Sequence, residues 1–232
     1  MALYRIADLI IEIHSTYDYT SRMCAPYLVQ TGEPDMCICV DEQEISAEDT
    51  PDQPHSRGYL ESLAIYRKIA EKMAVYNGFL AHGAVIAQQG CAYMFCAPSG
   101  TGKTTHIRLW QSLYPDTLVI NGDKPLIREI CGKFYAFGTP WAGKEGLQTN
   151  VGMPLCGMCI LKRGEQNIIK PISADKVMAA VAPHVYFPTD ASAAHTLSLL
   201  AQLTKQIPVY TLSCNVSAEA AQLSYRTLHQ KE

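Results

Sequence analysis

The stretch from Phe95 to Trp110, Phe-Cys-Ala-Pro-Ser-Gly-Thr-Gly-Lys-Thr-Thr-His-Ile-Arg-Leu-Trp, constrains this chain more than any other. Its centre, Ser99, Gly100, Thr101, Gly102, Lys103, Thr104 and Thr105, has the order of a phosphate-binding loop. Glycines allow the tight turn that points successive N–H groups inward. Lys103 is placed to bring a positive charge to the β- and γ-phosphates, and the Thr104 hydroxyl to ligate Mg²⁺. Ala92–Cys96 before the loop reads as a strand. Ile107, Leu109, Trp110 and Leu113 after it suit a helix whose N-terminus faces the phosphates. Ala97 stands where the general pattern has Gly, which the loop tolerates if that residue keeps a negative φ.

The whole chain sets wider bounds. Its 232 residues, 48% hydrophobic and 18% charged, suffice for one large domain or two small ones. A net charge of −3 gives no reason to expect nucleic acid as a partner. The apolar N-terminus is broken by Asp8 and Glu12 and lacks a basic start, so it does not read as a signal peptide. No run approaches the ~18 apolar residues of a membrane span. The expectation is a soluble, cytoplasmic protein without a membrane partner, its oligomeric state left open. Of nine cysteines, Cys37 and Cys39 alternate with Met36, Ile38 and Val40 and read as small apolar strand residues. Cys156 and Cys159 have the spacing of half a zinc site, but no second pair completes it. Buried reduced thiols are the expectation.

Residues 3–14 read as a strand, Tyr17–Val29 as a short helix and Met36–Val40 as a second strand. The acidic, Pro-containing segment 41–58 reads as a solvated loop or strand edge. Tyr59–Tyr76 is a helix closed by Asn77-Gly78. Phe79–Gln88 and Gly90–Cys96 form two strands joined by a tight Gln89-Gly90 turn. A hairpin feeding directly into a phosphate loop is unlike a doubly wound nucleotide-binding domain, where a crossover helix precedes, and predicts a mixed or antiparallel sheet. Further strands are predicted at Thr117–Ile120, Leu126–Ile130, Lys133–Phe137, Leu155–Leu161 and Val209–Leu212. Helices are predicted at Ala174–Val185, Ala191–Gln206 and Ala218–His229. The fold class is α/β with a mixed or antiparallel central sheet and flanking helices. Residues 1–232 read as one domain: 1–78 a βαβ-like part plus helix, 79–165 a nucleotide-binding core, 166–232 C-terminal helices and strand.

Phosphoryl transfer is mostly positioning and charge neutralisation. It needs a carboxylate to hold the metal or take the acceptor's proton. Asp123, at the end of an apolar strand twenty positions after Lys103, meets that need, although Asn-Gly-Asp also suits a plain turn. The Gly138–Lys144 loop ends on a cation, Lys144, which suits it to close over an acceptor and stabilise transition-state charge. A Trp-anchored structural loop is the alternative. Lys124, next to the acid, is expected on the opposite face of the strand. Lys162, Arg163 and Arg128 are further cations that surface solvation explains almost as well.

His82-Gly83, a strand pair, Ser-Gly-Thr-Gly-Lys-Thr and an apolar strand ending in an acid together resemble the catalytic domain of HPr kinase/phosphorylase, best over Leu80–Ile127. The loop also looks like the kinase-1 motif of ATP-dependent phosphoenolpyruvate carboxykinases. The segments Gly138–Lys144, Leu161–Glu165 and Pro208–Ser213 look like smaller HPr-kinase-related proteins, some of which phosphorylate Ser in a peptide or small substrate. The resemblance implies a P-loop on a mixed sheet, ATP with Mg²⁺, and γ-phosphoryl transfer to a hydroxyl acceptor in a peptide, protein or small molecule. It implies that Ser99–Thr105 cradle phosphate, that Thr104 and Asp123 hold Mg²⁺, and that Asp123, His82 and Lys144 carry the chemistry. The family's Asp-Asp pair is here Gly122-Asp123, so Asp123 serves both roles or Asp116, Glu145 or His82 assists. His82 itself is either a proton acceptor or a hairpin histidine held by hydrogen bonds. A nucleotide-binding sensor or peptide-binding module without catalysis is the rival reading.

Overall fold

The computed structural model describes residues 1–50, 54–189 and 191–230. Its architecture is mixed α/β, two sheets with flanking helices. The smaller sheet holds β1 (Ala2–Ile6), β2 (Leu9–His14), β3 (Leu28–Val29) and β4 (Met36–Cys39) in the order β3-β1-β2-β4. The expected single strand over 3–14 is a hairpin. Ala7 and Asp8 take left-handed φ of 54° and 57° between strands paired Ile6↔Leu9. The expected helix over 17–29 is α1 (Asp18–Cys24), which gives way at Pro26 to a 3₁₀ turn and β3. Part of the segment expected to be a loop is α2 (Glu42–Ala47). Asp41 accepts from the N–H groups of Gln43 and Glu44 while Glu44 reaches back to the Asp41 N–H, a capping box. Positions 51–53 of that segment lie outside the described residues. Next comes α3 (Arg57–Lys72), capped by Ser56. It lays Ile65, Tyr66, Ile69 and Met73 on the small sheet's Ile6, Ile11, Ile13 and Ile38.

The larger sheet runs β5 (Gly78–Leu80), β9 (Leu126–Ile130), β10 (Lys133–Phe137), β11 (Gly152–Arg163), β7 (Cys91–Cys96), β6 (Ala84–Gln88) and β8 (Leu118–Asn121). Off this path, β13 (Val209–Cys214) joins β11 and carries β12 (Ile168–Pro171). It is mixed: β6 is antiparallel to β7, whereas β11 is parallel to both β7 and β13. The Gln89-Gly90 turn has both residues at positive φ, the signature of a tight hairpin. Strand β7 alternates between two cores. Ala92, Met94 and Cys96 face α5 (Val177–Val181) and α6 (Ser192–Gln206) through Val181, Leu199 and Leu203. Tyr93 and Phe95 face α4 (Lys103–Leu113) and α7 (Ala218–Leu228) through Ile107, Trp110 and Leu228. Both faces are covered, which is why β6 and β7 read as unbroken apolar runs. The helix expected over 174–185 is shortened to α5 because Pro183 turns the chain into a 3₁₀ turn. Strand β12, Ile-Ile-Lys-Pro, is too short for an alternating pattern to have signalled it.

Two cysteine expectations are corrected. Cys91 and Cys156 form a disulfide instead of standing reduced; Cys156 sits in the β-bulge opposite β7. Cys37 and Cys39 face solvent, while Met36 and Ile38 point inward, because period-2 alternation lets only one set be buried. Cys24, Cys96 and Cys159 are buried free thiols. Among the described residues no helix is long and apolar enough to cross a membrane.

One consequence is testable. Trp110 is fully buried, and its indole N–H donates to Ser224 on α7 at 2.9 Å, locking α4 to α7. Trp110→Ala is expected to lower unfolding free energy by about 3–5 kcal/mol in urea titration. A loss below ~1 kcal/mol would mean that α4 is held by other contacts.

Candidate functional site

Strand direction places the site. Because β6 runs opposite to its neighbours β7 and β8, it begins where they end. The residues before β6 (His82 and Gly83), the loop after β7 (97–102) and the turn after β8 (Gly122, Asp123) therefore meet at one edge of the sheet. The C-terminal ends of β11 and β13 arrive at the same edge. Ligand sites of parallel α/β sheets form at such carboxyl ends.

The geometry of the loop at 97–102 follows from its residues. Gly100 and Gly102 take φ of 75° and 118°, where glycine is favoured, and Ala97 is not among the residues with positive φ. Gly102 is the residue before α4, which opens on Lys103. Lys103 is 8% exposed, and its ammonium donates to the Ala97 carbonyl at 2.8 Å. Burial holds that ammonium below the ordinary lysine value, against the opposing charge of Asp123. Arg163, at the end of β11, donates to the Gly100 carbonyl at 2.6 Å, turning loop carbonyls outward. The sequence alone does not separate a site cation from a solvated one at Arg163; the parallel pairing of β11 with β7 brings it to this loop.

His82 joins the loop to the acid. Its Nε2 lies 3.4 Å from Lys103 Nζ and 3.2 Å from Asp123 Oδ1. Its backbone is fixed as well, since His82 N–H donates to the His184 carbonyl and Gly83 N–H to the Asp123 carbonyl, at 2.7 and 2.8 Å. Its main chain is held by the turn at His184, not by its own hairpin, and its ring touches the two charged groups. Burial works to raise the Asp123 carboxyl, but the His82 hydrogen bond and the charges of His82, Lys124 and Lys103 outweigh it and hold it below the ordinary aspartate value.

The turn that carries Asp123 hangs on Asn121, which sequence reading passed over. Asn121 is fully buried, and its Oδ1 accepts from the N–H groups of Asp123 and Lys124 at 2.9 and 2.7 Å. Its Nδ2 donates to the carbonyl and hydroxyl of Thr139 at 3.1 and 3.0 Å. One amide thus ties the acid's turn to the loop that starts at Gly138. The Asn-Gly-Asp signature was the available signal, because Asn bonds readily to backbone two residues on. The chain has left the strand by Lys124, which lines the same cleft as Asp123, contrary to the expectation of opposite faces.

The loop at 138–147 is both anchored and near the acid. Trp141 is buried, stacked on Tyr66 with ring centroids 4.1 Å apart, and its N–H donates to the Ser62 carbonyl. Gly143, at φ 74°, passes so close that a Cβ there would stand 3.0 Å from the Asp123 Cβ. Lys144 follows, exposed in the cleft. Glu145 lines the same cleft and is paired with Arg108 at its exposed rim. Asp116, exposed before the start of β8, lies at the strand's other end. Arg128 donates to the Tyr76 and Ala7 carbonyls and serves the contact between the sheets.

Ser99, Gly100, Gly102, Lys103, Thr104, Thr105, Asp123 and Lys144 all line one cleft of about 880 Å³. Thr101 faces a second groove of about 370 Å³ on the loop's other side, with Arg163 and Asn215. His82 lines neither; it lies behind Asp123. The cleft's far wall is aromatic: Tyr59 packs against Tyr19 and His55, at 5.9 and 4.7 Å between ring centroids. Nothing in the local sequence announced that wall, because it is assembled from α1 and α3.

No family model matches the chain, and no curated protein does. Among solved structures it is similar to the HPr(Ser) kinase/phosphatase from Coxiella burnetii, at 7% identity and a TM-score of 0.38, over 64% of this chain and 90% of that one. At that score the functional reading rests on the geometry above.

The depressed Asp123 carboxyl has a pH signature. A carboxyl held low in the folded state stabilises the fold above its ordinary value and loses that contribution as pH falls through the folded one. The stability difference between the chain and Asp123→Asn is therefore expected to be largest near neutrality and to shrink in acid, by denaturant titration across pH. A difference independent of pH would contradict the charge environment described.

Proposed function

We propose that this chain is an ATP-dependent phosphotransferase of the phosphoenolpyruvate-carboxykinase-like P-loop fold, related to HPr kinase, that moves the γ-phosphoryl group to a hydroxyl acceptor. The observation that carries the reading is the shared cleft of Lys103, Thr104 and Asp123 at the ends of β7 and β8. The groove behind the loop, with Arg163 and Asn215, has the place and size for a nucleoside.

The donor set suits Mg²⁺. A threonine hydroxyl and one carboxylate are hard oxygen donors, and Mg²⁺ commonly takes one or two such ligands and leaves the rest to phosphate and water. Among the described residues no three His, Cys, Asp or Glu side chains converge on a point, as a fully protein-built metal cage would require. Thr104 and Asp123 would hold the ion, which when bound neutralises phosphate charge. Loop N–H groups and Lys103 bind the terminal phosphates, the lysine exchanging its Ala97 carbonyl for a phosphate oxygen. Asp123, oriented by Asn121 and His82, accepts the acceptor's proton. Lys144, beside Gly143, faces charge developing on the transferred group.

Lys103→Ala is expected to weaken Mg·ATP binding ~10–100-fold, the worth of a charge-assisted hydrogen bond, and to abolish transfer while the melting curve stays cooperative. Asp123→Asn should retain nucleotide and lose transfer. The assay is calorimetric binding of ATP together with labelled-phosphate transfer across peptides and small hydroxyl compounds. Retained turnover in either variant would defeat the assignment, and binding without transfer to any acceptor would favour a nucleotide sensor. Lys144→Ala should lower kcat about 100-fold with nucleotide affinity little changed; equal loss in both would make it a binding residue.

A further inference from the structure

A third cavity, of about 310 Å³, lies on the pocket side of His82 and adjoins the cleft through Leu63 and Lys124, which line both. Arg67 of α3 and Glu48, at the end of α2, form a two-contact ion pair, Nε to Oε1 and Nη2 to Oε2 at 2.9 Å, with Tyr186 also on Arg67 and Lys124 as a further cation. The Glu48 side chain is only 10% exposed and the Arg67 side chain 51%. The remaining lining is largely apolar, including Leu63, Leu80, Pro183 and Val185.

Resting on the phosphotransferase reading, we propose that this pocket holds the acceptor and that the acceptor is a free hydroxyl-bearing α-amino acid. An α-amino acid carries an ammonium and a carboxylate on one carbon. That is the charge pattern an adjacent carboxylate and guanidinium complement, each with lone pairs or N–H groups to spare. A residue inside a peptide would set two neutral amides against the ion pair and leave its charges less well solvated. The apolar lining suits a short side chain, and the volume suits a ligand of this size. The side-chain hydroxyl would extend past His82, whose Nε2 is 3.2 Å from Asp123 and 3.4 Å from Lys103. In the transfer, the acceptor oxygen forms a bond to the γ-phosphorus. The bond from that phosphorus to the β–γ bridging oxygen breaks with its electron pair leaving on ADP, and the acceptor proton passes to Asp123. The products are ADP and a phosphomonoester of the amino acid.

The test compares L-serine, L-threonine and L-homoserine with N-acetyl-serinamide and a serine-containing peptide, as acceptors from labelled Mg·ATP and as ligands in calorimetry with and without a non-hydrolysable ATP analogue. At least one free amino acid is expected to bind and to be phosphorylated, with the blocked compound and the peptide at least 100-fold poorer. Glu48→Gln and Arg67→Met should each raise the amino acid's KM at least tenfold with ATP affinity unchanged. Amino-acid binding lost in these variants but not in Lys103→Ala would support the pocket even if no transfer were seen, in which case the phosphotransferase reading alone falls. Equal or better turnover of the peptide or blocked compound, absence of amino-acid binding in the unaltered chain, or an unchanged KM in both folded variants would overturn the proposal.

Discussion

The antiparallel placement of β6 between β7 and β8 is the constraint from which the site follows. It puts the start of one strand beside the ends of two others, so the Lys103 and Asp123 side chains both reach His82 although they come from different segments. The pairing is pinned by register, Ala84↔Phe95 on one side and Val85↔Asn121 on the other, and by the Gly83-to-Asp123 backbone bond. A slip of one residue would turn β6 and β7 inside out, exchanging the side chains buried under α4 with those buried under α6. Since both faces are packed, that alternative is strongly disfavoured.

On this frame, the turn of Asp123 and the loop beside it are held by buried neutral groups. Asn121 fixes the turn of Asp123 and joins it to Thr139, while Trp141, stacked on Tyr66, fixes the loop that brings Gly143 against the carboxylate. Arg163 holds the phosphate loop from outside. Preorganisation of this kind matters for phosphoryl transfer, where geometry and charge supply most of the rate. Lys144 and Thr105 are among the exposed members of the cleft.

Much of this was legible in the residues, for reasons that can be named. The order of glycines, Lys and Thr implied a tight turn opening a helix, and Gly100 and Gly102 take positive φ just before α4. The hairpin before it implied a mixed sheet, and the sheet is mixed. What stayed hidden was set by tertiary pairing. Arg163 reaches the loop because β11 lies parallel to β7, and Tyr19, His55 and Tyr59 form one wall because α1 and α3 meet. Neither carries a local signal. Other misses were local and avoidable in principle: Asp41 and Glu44 spell a capping box, and Pro26 and Pro183 mark where helices stop. The cysteines followed neither simple rule, since two exposed ones lie on an alternating strand and two others are bonded.

The account turns on whether Lys103, Thr104 and Asp123 grip one triphosphate. A crystal structure with Mg²⁺ and a non-hydrolysable ATP analogue measures this directly. It should show the Lys103 ammonium moved from the Ala97 carbonyl to a β- or γ-phosphate oxygen, with the metal between the Thr104 hydroxyl and the Asp123 carboxylate. A nucleotide bound elsewhere, or Lys103 still on Ala97 with the loop empty at saturating analogue, would contradict it.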